Sequence, residues 1–285
     1  MVASVIGVLL IRTFILSSCT IPSTGMENSL YKGERVLVNK WSYGLRIPFT
    51  TMRILGSMAM RGDFVLFNNP NPTNWEEPVW MRESYIGQLA GIPGDVLRID
   101  NNLNLQDENM LSPQRIRLYD YPCEQDSLLK QMLVAQNVPD RGLSAYDKGF
   151  FMRLFTLSEA QKIQSLAEGR ITLHLVDSVS AIHEFQLPRK GMAIRVYPWN
   201  ATLLCNTLIR HEGRNASLQN DTLCIDGKPT QAVVFRKNYY WVASNNPMNV
   251  IDSRLFGLVP DDHIIGKVGR IWYPVTRNRF FDKVR

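Results

Sequence analysis

Cysteine and histidine are scarce in this chain, four of each in 285 residues. Cys19, Cys123, Cys205 and Cys224 form no Cys-x-x-Cys pair, which argues against a metal centre, and no cofactor is implied. The histidines are scattered and mark no site. Lysine and arginine runs interleaved with aromatics are missing, which argues against a nucleic-acid interface. No segment is low in complexity. No basic residue precedes Val2, whereas a cleaved export leader carries a basic n-region. An unbroken apolar run of the ~20 residues that span a bilayer is missing too. Val2 to Ile11 is apolar, but Arg12 separates it from Thr13-Phe14-Ile15-Leu16.

What is present is a 45% apolar composition, enough to bury a core, and a length that allows one large or two small domains. The net charge of +6 is spread along the chain and reads as a solvated surface compatible with anionic lipid. Counted through to Cys19, with Arg12 snorkelling, the N-terminal segment reaches membrane-spanning length. Residues 1–19 are therefore expected to be a membrane anchor or signal-like segment, the favoured reading being an anchor that runs straight into the first strand. Leu16-Ser17-Ser18-Cys19 also fits a lipobox, so a lipoprotein anchored at Cys19 is the alternative.

The stretch Ile21 to Pro48 organises the rest. Pro22-Ser23-Thr24-Gly25 is a turn cluster before Met26, Lys32-Gly33 makes a turn, and Val36-Leu37-Val38 is a strand run. Small residues beside an apolar one let a substrate backbone approach closely; an ordinary loop before an ordinary strand has the same pattern. Arg61-Gly62-Asp63 turns into a strand at Phe64 to Phe67. Pro93-Gly94 specifies a type II turn between an apolar strand and Val96 to Ile99. Residues 101–187 read as an inserted cap. Leu128, Leu129, Met132 and Leu133 have helical spacing within Cys123 to Gln136. Ser158-Glu159-Ala160-Gln161 is a capping box for a second helix ending at Gly169. Leu173 to Val176 and Phe185 read as strands. Asp226-Gly227-Lys228 is a hairpin turn, Phe235 to Val242 an aromatic-rich strand, His263 to Trp272 a last strand, and Arg277 to Arg285 a solvated basic tail.

Four motifs in order resemble those of the bacterial type I signal peptidases, the Ser-Lys (S26-type) proteases that cut signal peptides from exported proteins. Ile21, Pro22, Ser23, Met26, Leu30, Gly33, Leu37, Val38 and Lys40 match the first, and Arg61-Gly62-Asp63 with its strand looks like the second. Tyr85-Ile86 and Gly91-Ile92-Pro93-Gly94-Asp95 match the third. Asn246, Asp252, Ser253, Arg254, Gly257, Val259 and Pro260 match the fourth. The resemblance covers about residues 10–100 and 188–273. It implies a mainly β (α+β) fold, an antiparallel signal-peptidase-like core over 20–100 and 188–273, with the cap at 101–187, an N-terminal membrane segment and a tail at 274–285. The family carries more residues ahead of the anchor, so the resemblance also implies a late start or a shortened anchor.

Where the family has its nucleophilic serine, this chain has Gly25; where it has the lysine base, Gly87. Gln88, Asn245 and Val250 replace further residues around that site, which reads as joint relaxation of an unused centre. Gly56-Ser57-Met58 mimics the missing Ser-Met pair but lacks the Ile-Pro before it. Ser23 matches an oxyanion donor. Cys19, Ile21, Met26 and Ile86 match positions that line the peptide cleft, and Asp252, Ser253 and Arg254 match its structural support. Thr24 is set aside as a substitute nucleophile, because side chains alternate along a strand. The implied geometry has Gly25 and Gly87 facing each other across one cleft on adjacent strands. The implied function is a non-catalytic homologue at the bacterial inner membrane, its main domain extracytoplasmic. Its partners would be signal peptides or preproteins, membrane lipid, and an active signal peptidase or the secretion machinery. The alternative is an active peptidase with a relocated nucleophile.

Overall fold

Short runs of β-branched and aromatic residues separated by Gly, Pro and Asn turns favour many short strands over long helices. The computed structural model describes residues 15–176, 181–275 and 277–284. Its first half runs through β1 (Leu16–Thr20), β2 (Arg35–Asn39), β3 (Leu45–Arg46), β4 (Arg53–Ile54), β5 (Phe64–Asn68), β6 (Ser84–Gly91) and β7 (Val96–Asp100). It continues through β8 (Ile116–Pro122), helix α1 (Asp126–Ala135), β9 (Leu143–Asp147), β10 (Phe150–Thr156) and helix α2 (Leu157–Ala167). The second half holds β11 (His174–Leu175), β12 (Ile182–Gln186), β13 (Ala193–Arg195), helix α3 (Pro198–Glu212), β14 (Ala216–Gln219), β15 (Thr222–Ile225) and β16 (Lys228–Pro229). β17 (Ala232–Val234), β18 (Tyr239–Ala243), helix α4 (Ser253–Phe256), β19 (Val259–Pro260) and β20 (Ile264–Tyr273) complete it.

The main sheet has seven strands in the order β1-β2-β20-β5-β6-β18-β19, and every pairing in it is antiparallel. Both faces are covered, so β5 is apolar from Phe64 to Phe67 rather than alternating, and all five of its residues, Asn68 included, are buried. Phe64, Leu66 and Ile86 face one core with Ile21, Met26, Val36 and Ile271. Val65, Phe67 and Leu89 face the other with Tyr240, Val242 and Phe256. This period of two decides below which glycine meets the cleft. The Pro93-Gly94 turn is type II: Asp95 N donates to Ile92 O at 3.0 Å and Gly94 has φ +97°.

Residues 116–175 form a four-stranded sheet in the order β11-β8-β10-β9 with α1 and α2. They have their own core of Tyr119, Tyr121, Leu129, Leu133, Phe155, Ile163 and Leu173. The chain enters through β7 and returns through β12, which pair antiparallel.

Several elements differ from the sequence expectation. Most of the expected anchor lies outside the described residues, but its last residues are not part of a span: Leu16 to Thr20 pair with β2. No helix among the described residues is long and apolar enough to cross a membrane. The capping box of α2 is Thr156 with Glu159, two residues earlier than Ser158 with Gln161. Starting there turns Ala160, Ile163 and Ala167 into the core. Helix α3 was not expected from the sequence. The tail is largely exposed, as expected, but it is tied back onto the sheet: Phe281 N donates to Ile271 O, Ile271 N to Asp282 O, and Val284 is buried.

Two of the scattered histidines meet. The rings of His211 and His263 lie 5.3 Å apart at 80°. His263 pairs with Asp262 at 2.7 Å, and Asp262 with Lys237 at 2.7 Å. Burial pushes His211 down to about 3; His263, Lys237 and Arg82 add to the depression and Asp262 opposes it. An unfolded histidine titrates near 6.5, so the stability that comes from the neutral ring is complete above that pH and is lost as pH falls from 6.5 toward 3. The unfolding free energy read from urea titration is expected to drop between pH 7 and pH 4 by an amount on the order of a few kcal/mol, and His211→Gln is expected to flatten that slope. An unchanged pH profile in His211→Gln would show that other groups carry it.

Candidate functional site

Ile21 to Leu30 leaves β1 as a tied loop rather than a strand. Ile21 N donates to Glu34 O at 2.8 Å, Gly33 N to Ile21 O at 2.9 Å, and Leu30 N to Met26 O at 2.7 Å. The loop crosses to the segment after β18, where Asn245 N and Asn246 N donate to Gly25 O at 2.9 and 3.0 Å. Between them is a cavity of about 20 Å³, lined by Ile21, Pro22, Ser23, Gly25, Met26, Tyr85, Ile86, Ser244 and Ile251. That is room for one water-sized group. Cys19 packs on the same apolar cluster as Ile21, Met26 and Ile86, and burial pushes its thiol up. The structure thus brings Cys19, Ile21, Ser23, Gly25, Met26 and Ile86 together.

Gly87 is elsewhere. It pairs with Val65, and alternation turns its side away from Ile86. A Cβ built there meets Val242 Cγ1 at 2.2 Å and Phe67 Cε1 and Ala243 O at 3.5 Å. The two glycines therefore do not sit on adjacent strands. Gly25 is in the loop, Gly87 is in β6, and Val242 fills the space a side chain at 87 would need. Gly87 is a close-approach glycine, whereas a Cβ at Gly25 meets Ser23 Oγ at 3.6 Å and Asn249 O at 3.7 Å, ordinary contacts. Accordingly Gly25→Ser is expected to change stability by less than about 0.5 kcal/mol, and Gly87→Ala to cost about 1–3 kcal/mol by overpacking. Urea unfolding checks both; equal effects would contradict this packing.

The hydroxyls near the cavity have no lysine or histidine beside them among the described lining residues. Thr24 is exposed because the loop carries it outward, not because of strand alternation, and its Oγ1 accepts from Asn249 Nδ2 at 3.3 Å. Ser23 Oγ accepts from Gly25 N at 3.4 Å. Ser244 Oγ donates to Asp252 Oδ2 at 2.6 Å. Burial raises the Asp252 carboxyl, but Arg254 and Ser244 outweigh it and hold it below the usual range, so it is a weak base. No lysine or histidine is among the described lining residues.

Asp252, Ser253 and Arg254 brace the site from behind. Asp252 caps α4 by accepting from Arg254 N at 3.0 Å and pairs with Arg254 Nη2 at 2.8 Å. Ser253 Oγ accepts from Val242 N at 2.9 Å, which fixes the residue that fills the Gly87 space. Asn245, one of the replaced positions, donates from Nδ2 to Glu27 O at 3.0 Å and Ser29 Oγ at 2.9 Å. Gln88 Nε2 donates to Gly62 O at 3.4 Å. Sequence reasoning missed the grip of the cap on this loop. Arg141 Nη2 donates to Asn28 Oδ1 at 3.1 Å while Arg141 also pairs with Glu159, and Asn28 Nδ2 donates to Gln114 O at 3.0 Å. Nothing local to Arg141 signals a partner 113 residues away.

The fold, the small-residue cavity and the Asp-Ser-Arg brace define a member of the signal peptidase class. The signal peptidase, peptidase S26 family matches residues 1–152, more than half of the chain, and the chain belongs to that family. It is similar to "Signal peptidase I" of Buchnera aphidicola subsp. Schizaphis graminum (strain Sg), 24% identical over 266 residues, 93% of this chain and 70% of that relative. It is likewise similar to "Signal peptidase I" of Buchnera aphidicola subsp. Acyrthosiphon pisum (strain APS), 24% identical over 274 residues, 96% of this chain and 73% of that relative. "Signal peptidase I" of Pseudomonas fluorescens is 34% identical over 99 residues, 34% of this chain and 32% of its own length.

Proposed function

We propose that this chain is a signal-peptidase-I-like protein that holds signal-peptide segments of exported preproteins without cutting them. The observation that carries this is the cavity around Gly25, which is lined by hydroxyls but by no lysine or histidine among the described residues, with the base position at Gly87 filled by Val242. Acyl transfer needs a nucleophile whose proton an adjacent base can take. Losing both typically costs a factor of about a million in turnover, about 8 kcal/mol. Peptide holding needs less: backbone hydrogen bonds and a pocket for a small side chain suffice. In this reading the chain ahead of β1 leads into the membrane, the core faces the extracytoplasmic side, and the cap steadies the loop through Arg141.

Purified full-length chain in detergent, incubated with a labelled preprotein ending in an Ala-x-Ala type site, is expected to bind it and release no mature product. Cleavage at that site which survives Thr24→Ala, Ser23→Ala and Ser244→Ala would overturn the non-catalytic reading. Absence of binding together with absence of cleavage would overturn the peptide-holding reading.

A further inference from the structure

The hairpin of β3 and β4 is built inside out. Its guanidinium groups turn inward: Arg46 Nη1 donates to Asn68 Oδ1 at 3.1 Å, Arg53 Nη1 to Tyr43 O at 3.3 Å, and Arg53 Nη2 to Ile264 O. Its large apolar side chains turn outward. Phe49 and Leu55 are 79% and 86% exposed, and Met52, Ile54, Met58 and Met60 are exposed with them. A hairpin made for water has the reverse arrangement, and a run of exposed apolar side chains marks a surface that something covers. Phe49 (φ +60°) and Leu55 (φ +55°) also hold left-handed backbone, where a bulky side chain costs energy and glycine would not. The fold keeps that strain at two positions whose side chains touch little of the protein.

Three observations say what covers this surface. Lys40 N donates to Ile15 O at 2.9 Å, so the foot of the hairpin, where Trp41 is exposed, adjoins the point at which the chain enters the sheet. The sequence ahead of that point is apolar from Val2 to Ile11, and tryptophan is favoured at a membrane–water boundary. From Arg35 to Gly62 the chain has no Asp or Glu, but it has Lys40, Arg46, Arg53 and Arg61, so nothing in this stretch repels an anionic surface. The hairpin backbone is paired, Leu45 with Ile54 and Arg46 with Arg53, and Ile47 N donates to Met52 O at 3.0 Å. Shallow burial at the headgroup–acyl boundary therefore leaves these backbone groups satisfied.

We propose, on the reading that the chain ahead of β1 leads into a membrane, that the β3–β4 hairpin and the segment to Met60 rest in the interface of an anionic lipid bilayer. The test uses the full-length chain in vesicles of phosphatidylglycerol and phosphatidylcholine that carry a phosphatidylcholine with a diazirine on its acyl chain. After illumination, labelled peptides are read by mass spectrometry. Label is expected on residues 47–60 and not on α1, although Val134 there is 84% exposed. Phe49→Ser with Leu55→Ser removes two exposed side chains, so the fold is expected to stay intact. That double variant is expected to cut the hairpin label about tenfold or more and to leave the label ahead of β1 unchanged. Label confined to peptides ahead of β1 would overturn the hairpin contact and leave the membrane reading standing. Label on neither would overturn both. Equal label on α1 would show adsorption without a preferred face and would overturn the proposal, as would an unchanged hairpin label in the double variant. A dimer in detergent that the double variant abolishes, with no lipid label on the hairpin, would assign the surface to a second copy of the chain instead.

Discussion

A chain carrying Gly25→Ser and Gly87→Lys is expected to leave a labelled preprotein uncut, like the unsubstituted protein, and adding Val242→Ala is expected to raise turnover by about 10²-fold or more, the scale of a positioned general base. The first substitution is sterically simple, because a Cβ at 25 makes only ordinary contacts beside Ser23. The second is not. Its Cβ would lie 2.2 Å from Val242 Cγ1, inside a cluster that includes Val65, Phe67 and Leu89. Overpacking of that kind costs about 1–3 kcal/mol and is relieved by moving side chains or backbone, which would carry the amine away from a working position. Removing the two methyls of Val242 opens the space beside Ala243, whose neighbour Ser244 lines the cavity. The measurement is the rate of mature-product formation for the double and triple variants at matched folded concentration. A double variant that cuts as fast as the triple would show that Val242 is not the obstacle.

That expectation could not have been written from the sequence. The motifs Ile21-Pro22-Ser23, Pro93-Gly94-Asp95 and Asp252-Ser253-Arg254 are legible because turns and caps are local chemistry, and each has the expected local structure. So are the strand runs at 64–67 and 96–99. The replacement of the two reactive residues by Gly25 and Gly87 is legible for the same reason. What Gly87 touches is not, because Val242 lies far along the chain and reaches it only through the β6–β18 pairing. Helix α3 was missed although its signals exist: Pro198 at the first turn, a buried stripe through Leu204, Leu208 and His211, and Gly213 at the C-cap with φ +63°. The two overlapping capping boxes at 156–159 and 158–161 are equally good locally. The packing of Ala160, Ile163 and Ala167 chooses between them.

The tail is where composition misled most, and it yields the second large effect: Arg279→Ala is expected to destabilise the chain by about 3–5 kcal/mol. Glu34 is fully buried, and a buried carboxylate needs a partner. Tyr31 N donates to it at 2.9 Å, and Arg279 Nη1 supplies the positive charge at 3.2 Å. Arg279 Nη2 donates to Ser29 O, and its guanidinium lies 4.9 Å from the centre of the Tyr31 ring. The segment after β20 folds back along that strand and brings it there, so a stretch that reads as solvated lysine and arginine contains the counter-ion of an interior acid. Removing the guanidinium leaves the Glu34 charge buried and uncompensated, the costly way to break an ion pair. Glu34→Gln in the Arg279→Ala background should recover part of the loss, since a buried amide is cheaper than a buried unpaired charge. Ser29 Oγ also accepts from Asn245 Nδ2, and Asn245 N donates to Gly25 O. Arg279→Ala should therefore weaken peptide binding at the cavity more than it does after Glu34→Gln is added. Urea unfolding at pH 7 with a peptide-affinity measurement on the two variants decides it: a change below about 0.5 kcal/mol in Arg279→Ala, the usual size for a surface site, would mean that Glu34 finds its compensation elsewhere.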